Sequence, residues 1–289
     1  PGQQADGILF STNAYNNTVE NIKIKTEGSL RPYNGISFIG PTVKDNVIKN
    51  GELWSRGIQS QSLLFQNSAT DNKIIDTELN TLLNSKALKV SQGTGKNYML
   101  NVTYEDGRVV FQNANNYDIY RQWYLNATVV DEVTHEYIVN ANVTANDSDG
   151  IFTFSELTDV TGMIITQNIT EYIQNQLVTK FLTNYTFNTT EYPPGLDLYY
   201  ENFTSYNITN NTDLLIKLTP RAIALSLAMS PMLESGISWD ITALPAVEEH
   251  ALGNNGDGTT NYVLTLLAAR DTNVLLSMRA DGDLLGPTA

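Results

Sequence analysis

Four stretches of the chain repeat one spacing of polar and apolar positions: residues 17–24 (NTVENIKI), 46–53 (NVIKNGEL), 72–79 (NKIIDTEL) and 97–104 (NYMLNVTY). Each opens on an asparagine (Asn17, Asn46, Asn72, Asn97) and has an apolar side chain two positions on (Val19, Ile48, Ile74, Met99). Four positions on stands Asn21, Asn50, Asp76 or Asn101, and the stretches close on Ile24, Leu53, Leu79 and Tyr104. A shorter apolar stretch begins 9 or 10 residues upstream each time: Ile8 to Phe10, Ile36 to Phe38, Leu63 to Phe65, Leu88 to Val90. The unit recurs at roughly 25–29 residues, a length that suits one coil of a solenoid. Each coil should hold two or three short strands with alternating side chains, the inward Ile, Val, Leu and Phe stacking on the coil below. The turn asparagines can take left-handed backbone and bond along the stack. A fifth, degraded coil is expected through 109–111 and 117–120.

At Arg121 the pattern changes. Trp123, Leu125, Ala127 and Val129 alternate with polar residues, and Ile138, Asn140, Asn142 and Thr144 alternate with Val139, Ala141, Val143 and Ala145. Further strands fit 151–154, 163–169, 185–187, 203–208 and 214–218, with turn signals at 147–150 and at Thr161-Gly162. Short alternating strands between turns predict a sandwich. Beyond Pro220, alternation recurs around Ile223, Ile237, Tyr262 and Val274, with a turn-rich loop at 253–260. Four or five strands fall short of the roughly seven of a complete immunoglobulin-type sandwich. The expected fold is therefore all-β: a parallel β-helix over 1–120, an Ig-like sandwich over 121–219, and a small sandwich over 220–289 that a strand from elsewhere would complete.

The repeat resembles the right-handed parallel β-helix of pectate-lyase-like and NosD-like surface proteins over about residues 7–120. The run from WYLNATVVD to the turn holding Asp159 and Gly162 looks like the carboxypeptidase-regulatory-like or Ig-like modules of archaeal surface proteins. The second resemblance implies structural or adhesive modules, with no catalytic residues to carry over.

Charge and chemistry narrow the choice. A net charge of −14 leaves no cationic footprint for nucleic acid. There is no cysteine, so disulfides, thiolate metal sites and cysteine nucleophiles are excluded. No apolar run reaches the roughly 18 residues of a membrane span, so membrane insertion by this chain is not expected. The chain opens at Pro1 with no basic-then-apolar leader; the expectation is a processed form or fragment whose anchor lies outside it. His135 and His250 are far apart in apparent loops, without zinc spacing. A lyase-like β-helix would need an acidic Ca²⁺ cluster beside a basic residue, whereas Arg31, Arg56 and Arg108 are scattered. Asp147 to Gly150 with Glu156 echoes an EF-hand loop, but Ala145 stands where its first ligand belongs. No catalytic, cofactor-binding or metal-binding residue is assigned, and weak shared Ca²⁺ sites at subunit contacts are the one cofactor the acidity suggests.

The remaining signal is a cluster of N-x-S/T sequons. They fall at Asn16, Asn101, Asn126, Asn142, Asn146, Asn168, Asn184, Asn188, Asn202, Asn207 and Asn210. That is about twice the number composition alone would generate, and nine of them lie within 121–220, whereas Asn16 and Asn101 fall in the β-helix repeats, where burial or a ladder role competes with modification. The expected function is a structural subunit of an extracellular surface layer or filament, N-glycosylated and self-associating through β-edges. The alternative is a surface adhesin binding glycans or other cells, and a polysaccharide lyase or hydrolase relic ranks third. The expected partners are copies of the chain itself and covalent N-glycans.

Overall fold

The computed structural model describes residues 5–27, 33–57, 59–191 and 198–221, and beyond these the backbone of five strands between 223 and 280. Two strands form in each repeat: β1 (Ala5–Ser11), β2 (Thr18–Glu27), β3 (Tyr33–Ile39), β4 (Val47–Arg56), β5 (Gln61–Gln66), β6 (Lys73–Leu82), β7 (Lys86–Ser91) and β8 (Thr94–Thr103). A fifth turn comes next as β9 (Val109–Gln112) and the start of β10 (Asn116–Asp131). Odd strands stack in parallel as β1-β3-β5-β7-β9, and even strands as β10-β8-β6-β4-β2. This is a parallel β-helix with two long sheets.

Register makes the core. Phe10, Phe38, Phe65, Val90 and Phe111 pair in one row, and Ile8, Ile36, Leu63, Leu88 and Val109 in another. The Phe10 and Phe38 rings stack at 4.7 Å and the Phe38 and Phe65 rings at 5.1 Å, each pair adding about 0.5–1.5 kcal/mol beyond burial.

The asparagines divide into two kinds. Asn46, Asn72 and Asn97 are fully buried. The Asn46 amide oxygen accepts from the Asn17 backbone N–H (3.1 Å) and Nδ2 (2.8 Å). Asn72 serves Asn46 in the same way (3.1 and 2.9 Å), and Asn97 serves Asn72 (3.0 and 3.0 Å). The fifth coil has Ile119 in this row, and the ladder ends instead on Tyr117, whose hydroxyl accepts from Asn97 Nδ2 and donates to the Ala69 carbonyl. Burial pushes the Tyr117 hydroxyl above its usual pKa, so it remains a donor. Left-handed backbone falls on other residues: Asn16, Asp45 and Asp71, one position before the ladder, and Asn21, Asn50, Asp76 and Asn101, four positions after it. Buried amides therefore hold the register, while their neighbours turn the chain.

β10 joins the β-helix to the sandwich. Its first half pairs with β8; its second half pairs on that same side with β17 (Thr212–Leu218). Between these lie β11 (Asn142–Asn146), β12 (Phe152–Leu157), β13 (Gln167–Gln174), β14 (Thr179–Phe181), β15 (Tyr185–Thr190) and β16 (Asn202–Tyr206). β13 lines the other side of β10 and continues the long sheet to β14, while β12-β11-β15-β16 form a second sheet of 4 strands. The sandwich core includes Trp123, Leu125, Ala127 and Val129 from β10, with Val143, Phe154, Ile169, Phe187 and Ile216.

Arg121 sits at the junction, paired in register with the buried Met99. Its guanidinium lies 4.8 Å from the Tyr104 ring, 5.0 Å from Trp123 and 5.6 Å from Tyr172, with Glu171 Oε2 at 3.3 Å. Trp123 Nε1 donates to the same carboxylate at 2.7 Å. A cation thus occupies the last inward position of the helix, closed over by sandwich residues.

Some expectations change. Ile138 is buried but Val139 and Asn140 are exposed, because Asn140 has left-handed backbone (φ 60) and resets the alternation before β11. The strand expected from 163 begins at Gln167, since Asp159 Oδ1 holds a turn by accepting from Thr161 N (2.8 Å), Thr161 Oγ1 (2.6 Å) and Met163 N (3.1 Å). Gly162 (φ 71) closes that turn against β10: a Cβ there would lie 2.8 Å from the Val129 carbonyl oxygen. The short strand β14 lies in a stretch for which the sequence predicted no strand. In the C-terminal part, β18 (Ile223–Ala228), β19 (Ile237–Ile241), β20 (Val247–Asn254), β21 (Thr260–Leu266) and β22 (Leu276–Ala280) pair as β18-β21-β20 and β19-β22, all antiparallel. His250 thus falls in a strand, not a loop. Residues 255–259, most of the expected 253–260 loop, lie outside the described residues.

Two substitutions test the ladder, and a third the turn, by chemical denaturation. Asn72→Ala strands the buried Asn46 N–H and should cost about 2–3 kcal/mol, whereas Asn50→Gly on the exposed row, where glycine keeps the left-handed backbone, should cost under about 1 kcal/mol. Gly162→Ala should destabilise by about 1–3 kcal/mol through its left-handed backbone; equal stability would mean the turn is not held against β10.

Candidate functional site

The sequons occupy three environments. Asn16, Asn168, Asn184, Asn207 and Asn210 are exposed, and their side chains make no hydrogen bond among the described residues. Asn16 (φ 54) and Asn184 (φ 72) sit on left-handed turns. Asn142, Asn146 and Asn188 are half-buried on β11 and β15. Asn142 accepts from Ser155 Oγ at 2.8 Å, and the Asn188 amide oxygen is buried without a partner. Asn101, Asn126 and Asn202 are half-buried and already committed. Asn101 Nδ2 donates to Asp76 Oδ1 at 2.7 Å, Asn126 Nδ2 to Asp213 Oδ1 at 2.8 Å, and Asn202 Nδ2 to the Lys217 carbonyl at 2.9 Å. Their place in the repeat sets Asn16 and Asn101 apart in the sequence, yet Asn16 is exposed and only Asn101 is bonded within the stack; the N-x-S/T signal itself carries no information on neighbours across the sheet.

The other candidate residues resolve into structural roles. Asp147 Oδ1 accepts from the N–H groups of Asp149 and Ile151, both at 2.9 Å, and Lys180 pairs with Asp149 at 2.7 Å; this is a hydrogen-bonded turn. Asp159 is held below the usual carboxylate range, first by the Thr161 hydroxyl and then by backbone N–H groups. His135 is exposed on a left-handed turn (φ 61). Arg56 pairs with Glu27 at 3.8 Å and Arg108 with Glu105 at 3.1 Å, while Arg31 lies outside the described residues. Among the described residues, no three His, Cys, Asp or Glu side chains stand close enough to hold a metal ion. No helix among them is long and apolar enough to cross a membrane.

One groove stands out on the outer face of the 8-stranded sheet, with a volume of about 440 Å³. Ile75, Leu100 and Tyr98 line it on β6 and β8, and Gln122 and Asn168 on β10 and β13. Asp45 and Asp71 line it at the turns, and Lys73 at the start of β6. Tyr98 is held by the Tyr120 ring at 5.1 Å and by Lys96 Nζ at 5.9 Å from its centroid. Tyr98, and then Asp71, raise the Lys96 pKa, keeping the ammonium charged.

No family model matches the chain, and no curated protein matches it. Among solved structures it is similar to BcpA, the major pilin subunit of Bacillus cereus, at 12% identity over 50% of this chain and 57% of that one, with a TM-score of 0.32. The TIE protein of Bacillus anthracis aligns at 15% identity over 61% of this chain and 34% of that one (TM-score 0.30). A shaft pilin SpaA from Lactobacillus rhamnosus GG aligns at 19% identity over 40% and 51% (TM-score 0.22). The chain thus spans 57% of the BcpA subunit's length. Scores of this size mark loose likenesses, so any functional reading rests on the chain's own geometry.

Glycopeptide mass spectrometry of native material should find hexose-bearing peptides at Asn16, Asn168, Asn184, Asn207 and Asn210, with the lowest occupancy at Asn101, Asn126 and Asn202. Equal occupancy across all three environments would show that the folded surface does not govern modification.

Proposed function

We propose that this chain is a structural subunit of an extracellular surface assembly, a layer or filament, that is N-glycosylated and self-associates through β-edges. The observation that carries this reading is the 4-stranded sheet, whose outer strands β12 and β16 pair on one side alone among the described residues. An open edge offers unpaired N–H and C=O groups to another strand. Neither edge bears a lysine, proline or arginine, and Glu156 on β12 is the one charged guard on either strand. Each carries an exposed phenylalanine instead, Phe152 at 63% and Phe203 at 67%. A second copy adding β16 to β12 would extend the sheet from molecule to molecule, an open head-to-tail contact that propagates.

Rigidity supports the same role. β10 runs from the β-helix core into the sandwich core without a linker, so force on one part passes directly to the other. The exposed sequons would coat the surface the contacts leave free, and the C-terminal strands are a further candidate for completion by a neighbour. We assign no catalytic role and propose an extracellular location. On the described residues, a bridging Ca²⁺ would draw carboxylates from two copies.

Purified chain at high concentration should form sheets or fibres by negative-stain electron microscopy. Phe152→Lys and Phe203→Lys should each abolish them while leaving circular dichroism and the melting temperature unchanged, since both rings are exposed. Dispersed wild-type monomers, or assemblies indifferent to both variants, would refute edge pairing. Loss on adding chelator would place Ca²⁺ in the contact.

A further inference from the structure

We propose that the groove on the outer face of the 8-stranded sheet binds a neutral saccharide, with Tyr98, Asp45 and Asp71 as its principal contacts. Its volume of about 440 Å³ falls within the roughly 300–1,000 Å³ of small-molecule sites. Sugars have apolar C–H faces and a rim of hydroxyls, and the groove offers partners for both. Ile75, Leu100 and the Tyr98 ring supply the apolar floor. The ring is fixed by Tyr120 and Lys96 before any ligand arrives, which lowers the ordering cost of binding.

The polar partners are arranged by the coil repeat itself. Asp45 (φ 58) and Asp71 (φ 57) occupy the same left-handed turn position in successive coils. Their Cα atoms therefore stand about one strand spacing apart, roughly 4.8 Å, and each carboxylate can accept from two hydroxyls. Gln122 Nε2 donates to Thr170 Oγ1 at 3.1 Å, which fixes the amide and leaves its oxygen as an acceptor.

Charge selects the ligand class. Two carboxylates, Asp45 and Asp71, are balanced by two ammonium groups, Lys73 lining the groove and Lys96 at 3.5 Å from Asp71. A polyanionic sugar would meet both aspartates, and a cationic one both lysines, so a neutral chain fits best. The saccharide has two possible sources, because Asn168, an exposed sequon, lines the groove. A glycan on this asparagine could lie in the groove, or a saccharide from another molecule could enter it. This inference does not depend on edge pairing, and the monomer suffices to test it.

The full chain, made in a host without N-glycosylation, is applied to an array of neutral di- to hexasaccharides. At least one should be retained. Asp45→Asn/Asp71→Asn and Tyr98→Ala should each weaken retention at least tenfold, and Asn184→Gln, at an exposed sequon outside the groove lining, should leave it unchanged. Asparagine tolerates left-handed backbone, so the double variant should keep its melting temperature and fold. No neutral saccharide retained, retention of charged saccharides alone, or retention indifferent to both variants would overturn the proposal. Protein from a glycosylating host then separates the sources. If the Asn168 glycan fills the groove, array binding falls at least tenfold and Asn168→Gln restores it; if the ligand comes from outside, the glycosylated chain binds as well as the bare one.

Discussion

The structure depends on one constraint: each coil of the β-helix must sit in register on the coil below. Parallel pairing places residue upon residue, so a slip of one position would turn the inward row of Ile48, Ile74 and Met99 out to water. Apolar stacking alone is tolerant of small shifts. The buried asparagines are not, because each amide oxygen serves two donors of the coil before it. A slip would strand those donors in a dry core, where an unmade hydrogen bond costs about 1–3 kcal/mol. The ladder thus contributes specificity more than net stability.

A stack of this kind also has to end, and here it ends by changing partners within one strand. β10 completes the last coil and then enters the sandwich, with β17 taking over where β8 stops. Two substitutions in the repeat mark the handover: Ile119 and Tyr117 replace the next ladder asparagine, and Arg121 replaces the next inward apolar residue. Arg121 is tolerable because three rings and the Glu171 carboxylate surround it. Removing one member would leave a partly buried charge without its partner, which costs more than the pair itself contributes.

Among the described residues up to 221, what is accessible to a partner lies on the outside of these two cores. The β-helix contributes a ruled surface, on which equivalent residues of successive coils form rows; Asp45 and Asp71 are one such pair. The sandwich contributes open edges and most of the sequons. Assembly, glycan attachment and saccharide binding would therefore use separate parts of one rigid body, with Asn168 standing where glycan and groove meet. The loose likeness to pilin subunits adds no weight to this division, which rests on the edges, the rows and the exposed asparagines themselves.

Much of the architecture was legible because repetition is visible without coordinates. The spacing from Asn17 to Asn46, Asn72 and Asn97, and the apolar residue two positions after each, announce coils that must stack, since an isolated coil buries nothing. Alternation from Trp123 to Val129 likewise announces a half-buried strand. What the linear pattern does not contain is which backbone position turns. Asn72 and Asp71 look alike as turn formers, yet one is a buried ladder rung and the other a left-handed corner. Asn140 silently resets an alternation that reads as continuous. The groove and the ranking of sequons were equally out of reach. Asp45, Tyr98, Gln122 and Asn168 meet only after coils stack and β13 pairs with β10, and Asn126 differs from Asn168 by the Asp213 carboxylate and the Thr166 hydroxyl that bond its amide. Local spacing determines what repeats; tertiary pairing alone decides which polar groups find partners and which remain free to bind.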